Sequence, residues 1–392
     1  MSMHNKREAF ERGLIAAYPK VISKFVPSRD FKLIEHYKDG SFTFSSAAFA
    51  LYSNGYNVRG KTDFAKWGLL YRDSKAIFSI GYFRKEGDAP DDNGYMFIVS
   101  PKGEGAYAAA AQFAADVMQN PQIKIKGIYI RPVMPDGIRA LEQYGFSQVT
   151  DANGAWIDGA SKEDDTYNHR ILNLAEIFQS PEASSPLRQR VLLSNAEIIN
   201  NKNMRHAVNN FENFISLNNL RASLSRMSVG DLPAANNIVS IHFAFLEAKG
   251  KRVGSTPEDY RGMLHPEIIQ LPSVVACMGY IEKLPVAVLL AEEIGHGVAG
   301  LYASMSIRNE KYILEGLGLA DGKFSQRIQG YFLPKFVKLL FDAGIRIIDW
   351  GGAEIPALDF GKKHFGAALP AEIPEWMFFA RLPYRKDIIG GG

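Results

Sequence analysis

The sequence predicts an α/β protein: two domains of mixed sheets and helices, joined by a helical connector. Three observations support this. Residues 126–149, KGIYIRPVMPDGIRALEQYGFSQV, read as a β-branched run, a turn, a short helix and a Gly145-Phe146 corner. Residues 343–369, AGIRIIDWGGAEIPALDFGKKHFGAAL, repeat that order and end in Phe365-Gly366, each copy following a longer helix-like stretch at 105–119 or 325–343. A length of 392 residues with 46% hydrophobic content suits two or three domains, each with its own core.

The elements follow in order. Residues 5–26 read as a helix that ends before Pro27. FKLIEHY (31–37) reads as a strand, and FTFSSAAFALYSN (42–54) fits either type. KWGLLYRD and KAIFSIGYF flank Asp73-Ser74 and predict a hairpin. EGDAPDDNG (86–94) is a turn-rich loop, and YMFIVS (95–100) a strand. AYAAAAQFAADVM is a helix by propensity. KIKGIYIRPV is the next strand, PDGIRALEQYG a short helix, and FSQVT and AWIDG close the first domain.

Residues 160–185, with SKEDDTYNH and SPEASSP, are charged and Ser/Pro-rich and read as the linker. Residues 187–227 read as helical. A helix at 231–249 starts with Asp231 as N-cap before Leu232-Pro233. VVACMGYIE and PVAVLLAEEIG predict a second hairpin, with one of Glu292 and Glu293 facing in and the other out. GVAGLYASMSI is a strand, and KYILEGLGLADGKFS (311–325) is Gly-rich without a clear element. A helix to 342, the strand IRIIDW, the helix ALDFGKKHF and the strand EWMFFARL complete the second domain. The expected boundaries are 1–160, a linker at 161–190, and 191–392.

A net charge of +3 permits an anionic ligand but lacks the strong bias of a dedicated nucleic-acid binder. A single cysteine, Cys277, rules out an intrachain disulfide and a cysteine metal cluster; it reads as a small buried hydrophobe. His242, His265 and His296 are too scattered in sequence to propose a metal site. With no signal-like N-terminus and no apolar run of about 18–20 residues, a cytoplasmic protein without membrane spans is expected.

Ser100-Pro101-Lys102-Gly103-Glu104-Gly105 lies between a strand and a helix. Such a loop either turns backbone N–H groups toward an anion, with Lys102 adding charge, or is an ordinary turn that uses Gly for its backbone freedom. Hairpin, strand, Gly-turn, helix, strand, helix and Gly-Phe corner together resemble the GNAT acyltransferase superfamily, whose donor signature is Gln/Arg-x-x-Gly-x-Gly/Ala. Ser100-x-x-Gly103-x-Gly105 matches its glycines, with Ser in place of Gln or Arg. The resemblance implies a mixed, mostly antiparallel twisted sheet flanked by helices, and acyl-CoA binding at Lys102, Gly103 and Gly105. The tyrosine that acts as general acid in that family falls at Leu141 here, with Tyr144 beside the glycine instead.

The second half is similar to the FemABX-type transferases and the C-terminal domain of phosphatidylglycerol lysyltransferases, on DWGGAEIPALDFGKKHFGA (349–367). Gly351-Gly352 stand at the family's Gly-Gly turn and Lys363-x-Phe365-Gly366 on its helix. The resemblance implies transfer of an aminoacyl group to an amine on a small molecule or peptide. Aminoacyl-tRNA is the favoured donor and acyl-CoA the alternative; no tightly bound cofactor and no metal are implied. A cleft that only binds a ligand or partner is a further alternative.

Such transfer needs a base for the amine proton and an N–H for the oxyanion, not a covalent nucleophile. Glu354 and Asp349 are the candidate catalytic carboxylates. Trp350, Gly351, Gly352 and Lys363 are candidate substrate contacts, Trp350 stacking on a ligand or packing in the core. Gly322, Lys323 and Arg327 stand where a second donor loop belongs, without a clean Gln-x-x-Gly-x-Gly. The second copy is therefore the expected site.

Overall fold

A computed structural model describes residues 3–53, 56–59, 62–65, 68–83, 93–133, 135–148, 169–179, 202–250, 256–320, 328–352 and 378–382. The chain divides into two compact units. One comprises Met1–Tyr37, Phe49–Tyr167 and Ile373–Gly392; the other Lys38–Ala48 and Asn168–Glu372.

The first unit is built on β1 (Ile22–Lys24), β4 (Leu69–Arg72), β5 (Ile77–Phe83), β6 (Tyr95–Lys102), β7 (Ile128–Val133), β15 (Phe378–Leu382) and β8 (Ser147–Gln148), in that spatial order. The hairpin β2 (Tyr56–Arg59) and β3 (Thr62–Ala65) joins at β5. The predicted β4–β5 hairpin forms, and its turn is held by Asp73, whose Oδ1 accepts from the backbone N–H of Lys75 and of Ala76, both at 2.7 Å. The cross-strand pair Tyr71 and Phe78 stacks at 4.2 Å. Helix α4 (Ala106–Gln119) crosses from β6 to its parallel neighbour β7 and buries Phe113 and Val117 with Ala106, Ala110, Ala111 and Ala114, the four alanines letting helix and sheet approach closely. Helix α5 (Pro135–Glu142) ends where Gly145, at φ 76°, lets the Phe146 N–H reach the Leu141 carbonyl, so the Gly-Phe corner is a helix C-cap.

The N-terminus departs from expectation. Helix α1 (Met3–Ala17) stops before Pro19, and α2 (Pro27–Tyr37) begins at Pro27 rather than a helix ending there. FKLIEHY is therefore helical, not a strand. Asp30, fully buried, accepts from the Val26 N–H at 2.8 Å and pairs with Arg29 and Arg72, a capping arrangement that local pattern does not display. Helix α3 (Ser46–Ser53) resolves the ambiguous segment.

The second unit orders β10 (Ala222–Arg226), β11 (Val274–Ile281), β12 (Leu284–Gly295), β13 (Val298–Ser306), β14 (Ile347–Gly352) and β9 (His169–Asn173). Its other elements are α6 (Leu174–Gln179), α7 (Lys202–Leu217), α8 (Leu232–Ala248), α9 (Pro257–Met263), α10 (Pro266–Ile269), α11 (Glu310–Gly316) and α12 (Ile328–Asp342). α12 links the parallel pair β13 and β14, as α4 links β6 and β7, so the repeated order builds the same supersecondary unit in each sheet.

Four further expectations are corrected. His169–Asn173, inside the expected linker, is an edge strand on β14. Ala222–Arg226, read as helical, is an edge strand on β11. The closing strand Phe378–Leu382, expected in the second domain, lies between β7 and β8 of the first sheet. Lys38–Ala48 belongs with the second unit although it precedes most of the first. The cause is common: which edge a short strand or strap joins is decided by unpaired backbone groups elsewhere in the chain, not by its own periodicity. Asp231 does precede α8, but its carboxylate serves the turn before it, accepting from Ser228 N and Oγ, both at 2.7 Å.

Candidate active site

In the second unit two neighbouring parallel strands pair over only a short stretch. β13 and β14 pair over Val298–Gly300 and Ile347–Asp349, after which β13 runs on through Leu301–Ser306 while β14 continues to Gly352. The Asp349–Gly352 turn sits at that parting. Asp349, 6% exposed, accepts from the Gly351 N–H at 2.8 Å, and Gly351 holds φ 71°. One carboxylate oxygen thus fixes the turn. Trp350 is half-buried beside it. Glu354, Lys363, Gly322, Lys323 and Arg327 lie outside the described residues.

The strap Lys38–Ala48 forms the rest of this region. Of the alternating pair, Glu292 is the one that faces in: fully buried, it accepts from the N–H groups of Ser46 at 3.0 Å and Ala47 at 2.6 Å, and pairs with Lys38 Nζ at 2.8 Å, while Glu293 is exposed. Lys38 also donates to the Glu293 carbonyl at 2.6 Å. Farther along the strap, Ser45 Oγ donates to the Tyr302 hydroxyl and that hydroxyl donates to the Phe42 carbonyl, both at 2.7 Å. The Phe42 ring stacks on Tyr302 at 4.5 Å, and a Cβ at Gly351 would stand 3.1 Å from its Cζ. Lys38, Phe42, Ser45 and Tyr302 escape sequence reading because their partners lie some 250 or more positions away. Only the alternation of the Glu292-Glu293 pair was a signal.

The donor-loop candidate of the first unit is also in place. Ser100 (φ 52°), Gly103 (φ 115°) and Gly105 (φ 70°) all hold positive φ ahead of α4. Gly103 is pressed against the hairpin: a Cβ there would lie 2.1 Å from the Lys75 carbonyl oxygen. Gly105 has open space around it and stands at the α4 N-cap, and Lys102 is half-buried at the end of β6. Packing thus accounts for the first glycine, and backbone conformation alone for the second.

Leu141, where the resemblance places a tyrosine, is 1% exposed in the first unit's core, and Tyr144 is 39% exposed. Leu141→Ala is expected to cost about 2–5 kcal/mol in urea unfolding, and Tyr144→Phe less than about 0.5 kcal/mol, with unchanged activity. A rate loss in folded Tyr144→Phe would reinstate the tyrosine.

The flagged histidines lie apart: His265 caps α10, His296 occupies the β12–β13 turn, and His242 packs on the Ser306 carbonyl at 3.2 Å. Burial, aided by Arg308, pushes the His242 pKa down to about 4, against a rise from the Ser306 carbonyl. The unfolded chain therefore takes this proton near pH 6.5 while the folded chain resists until about pH 4. Stability from this group is complete above pH 6.5, falls between there and pH 4, and is flat below, a total of about 3 kcal/mol. His242→Gln is expected to flatten that part of a stability-against-pH curve. Burial also pushes the Cys277 thiol up to about 11, as suits a buried hydrophobe rather than a nucleophile.

No family model and no curated protein sequence matches the chain. Solved structures do. A conserved protein of unknown function from Bacteroides thetaiotaomicron VPI-5482 aligns over 92% of this chain and 97% of its own, at 12% identity and a TM-score of 0.53. FemX aligns over 92% of this chain and 96% of its own, at 11% identity and a TM-score of 0.52. At these identities the likeness is one of fold. In its fold, the chain is similar to FemX over nearly its whole length, with two compact units each built on a mixed sheet flanked by helices.

Proposed function

We propose that the protein is an acyltransferase that moves an acyl group, in the favoured reading an aminoacyl group from charged tRNA, to an amine on a small molecule or peptide. The parting of β13 and β14 beside the Asp349–Gly352 turn carries this reading. Past the Gly300–Asp349 rung the two parallel strands no longer pair with each other, and the turn fixed by Asp349 lies at that point. The FemX fold and the likeness of 349–367 to aminoacyl-handling transferases support the aminoacyl donor. Use of charged tRNA would place the reaction in the cytoplasm. Among the described residues, no helix is long and apolar enough to cross a membrane.

In the step itself the amine nitrogen attacks the ester carbonyl carbon. A carboxylate, Glu354 or Asp349, takes the amine proton; the carbon–oxygen bond breaks and the released 3′-oxygen is protonated. Trp350, Gly351, Gly352 and Lys363 would contact the transferred group and donor. Asp349→Asn keeps an oxygen that can accept from Gly351, so the turn survives and only the charge is lost. Transfer from labelled aminoacyl-tRNA is expected to fall about 100-fold or more in Asp349→Asn or Glu354→Gln, and to disappear after RNase treatment. Wild-type rates in both variants would remove these residues from the chemistry.

The second reading is acyl-CoA-dependent N-acetylation in the first unit. The run of positive φ at Ser100, Gly103 and Gly105 ahead of α4 favours it, with Lys102 beside the loop. Gly322, Lys323 and Arg327 would hold the donor if the second unit kept a loop of its own. Acetyl-CoA should then raise the melting temperature, and labelled acetyl should appear on an amine without tRNA.

A further inference from the structure

Phe42 stands far from the Asp349–Gly352 turn in sequence, yet its ring tip abuts Gly351, its Cζ 3.1 Å and its Cε1 3.2 Å from where a Cβ would lie. One ring face stacks on Tyr302 at an interplanar angle of 30°. The Tyr302 ring in turn lies over Gly300, where a Cβ would come within 2.7 Å of it, and Gly300 is the residue paired with Asp349 at the last rung before β13 and β14 part. Two glycines without side chains and two stacked rings therefore make an apolar wall beside the point where β13 and β14 stop pairing. A side chain at Gly300 would displace the Tyr302 ring, and one at Gly351 would press on the Phe42 ring and be strained at φ 71°.

The strap is fixed in a way that serves this wall. Glu292 holds it at Ser46, Ala47 and Lys38, and the Gly40 N–H donates to the Ile294 carbonyl at 2.7 Å. The Ser45–Tyr302–Phe42 hydrogen bonds lock ring to strap. Phe42 itself stays half-buried. So many anchors around one partly exposed aromatic leave its position with little freedom, the condition for a side chain that selects by shape.

We propose that Phe42, backed by Tyr302, is a specificity-determining residue: it bounds the space for the side chain of the transferred group and favours small or flat apolar groups over bulky branched ones. This rests on the aminoacyl-transfer reading above. Selection by a rigid apolar wall is steric, so shortening Phe42 should admit larger groups without removing the chemistry.

The test uses the full chain with Phe42→Leu and Phe42→Ala, each first shown to be folded by thermal melting; Phe42→Leu keeps an apolar anchor should the alanine variant fail to fold. Transfer is measured from tRNA charged with alanine, phenylalanine or isoleucine. The ratio of kcat/KM for isoleucyl over alanyl groups is expected to rise about tenfold in the variants. An unchanged ratio in a folded variant overturns the wall while leaving the transfer reading intact. If wild type transfers from none of these donors, the transfer reading falls, and calorimetric binding of puromycin and of its alanyl counterpart decides the wall. A puromycin-to-alanyl affinity ratio that moves about fivefold or more in Phe42→Leu supports it; an unmoved ratio, or no binding of either, overturns it.

Discussion

Glu292→Ala is expected to destabilise the protein by about 4 kcal/mol or more in urea unfolding at neutral pH. The carboxylate is fully buried, and the Lys38 side chain is 4% exposed. Removing one partner of such a pair leaves the other as an uncompensated charge, a cost of about 3–5 kcal/mol, whereas a surface pair would cost under about 1 kcal/mol. The backbone N–H groups of Ser46 and Ala47 lose their acceptor at the same stroke. Glu292→Leu combined with Lys38→Met removes both charges and should recover a large part of the loss. Hydrogen exchange should speed up first over 38–48, since Glu292 anchors that strap. A loss below about 1 kcal/mol in Glu292→Ala would mean that the pair is hydrated and that the strap is held by its other contacts.

Gly103→Ala is expected to cost about 3 kcal/mol or more. Two effects add. At φ 115° an L-residue is strained. The new Cβ would stand 2.1 Å from the Lys75 carbonyl oxygen, a backbone atom that cannot rotate away. The turn that would have to yield is itself pinned by Asp73 to the N–H groups of Lys75 and Ala76. Gly105→Ala meets no atom and carries only the conformational cost of φ 70°, about 1 kcal/mol. A large difference between the two variants marks Gly103 as a packing glycine. Equal, small effects would show that the hairpin gives way, leaving anion binding as the better account of both.

The sequence by itself determined the repeated α/β order. The β-branched runs at 128–133 and 347–352 and the helices at 106–119 and 328–342 carry period and propensity in their own residues, so they were legible. The same holds for the Asp73 turn and for the in-and-out alternation of Glu292 and Glu293, though not for which of the two faces in. Local pattern failed where a residue's state depends on distant partners. FKLIEHY became a helix because Pro27 opens it and Asp30 caps it. Phe378–Leu382 took a place between β7 and β8, and His169–Asn173 one on β14.

The candidate site divides in the same way. Asp349, Trp350 and Gly351 were visible as a turn after a strand. Only the tertiary structure brought Phe42, Ser45 and Tyr302 to that turn, and it turned Leu141 into a core residue where a tyrosine was the comparison. The physical reason is range. Periodicity, turn chemistry and capping are written within a few residues, whereas burial of a charge, stacking of two rings and pairing of a strand edge are settled by whatever the finished fold sets opposite them.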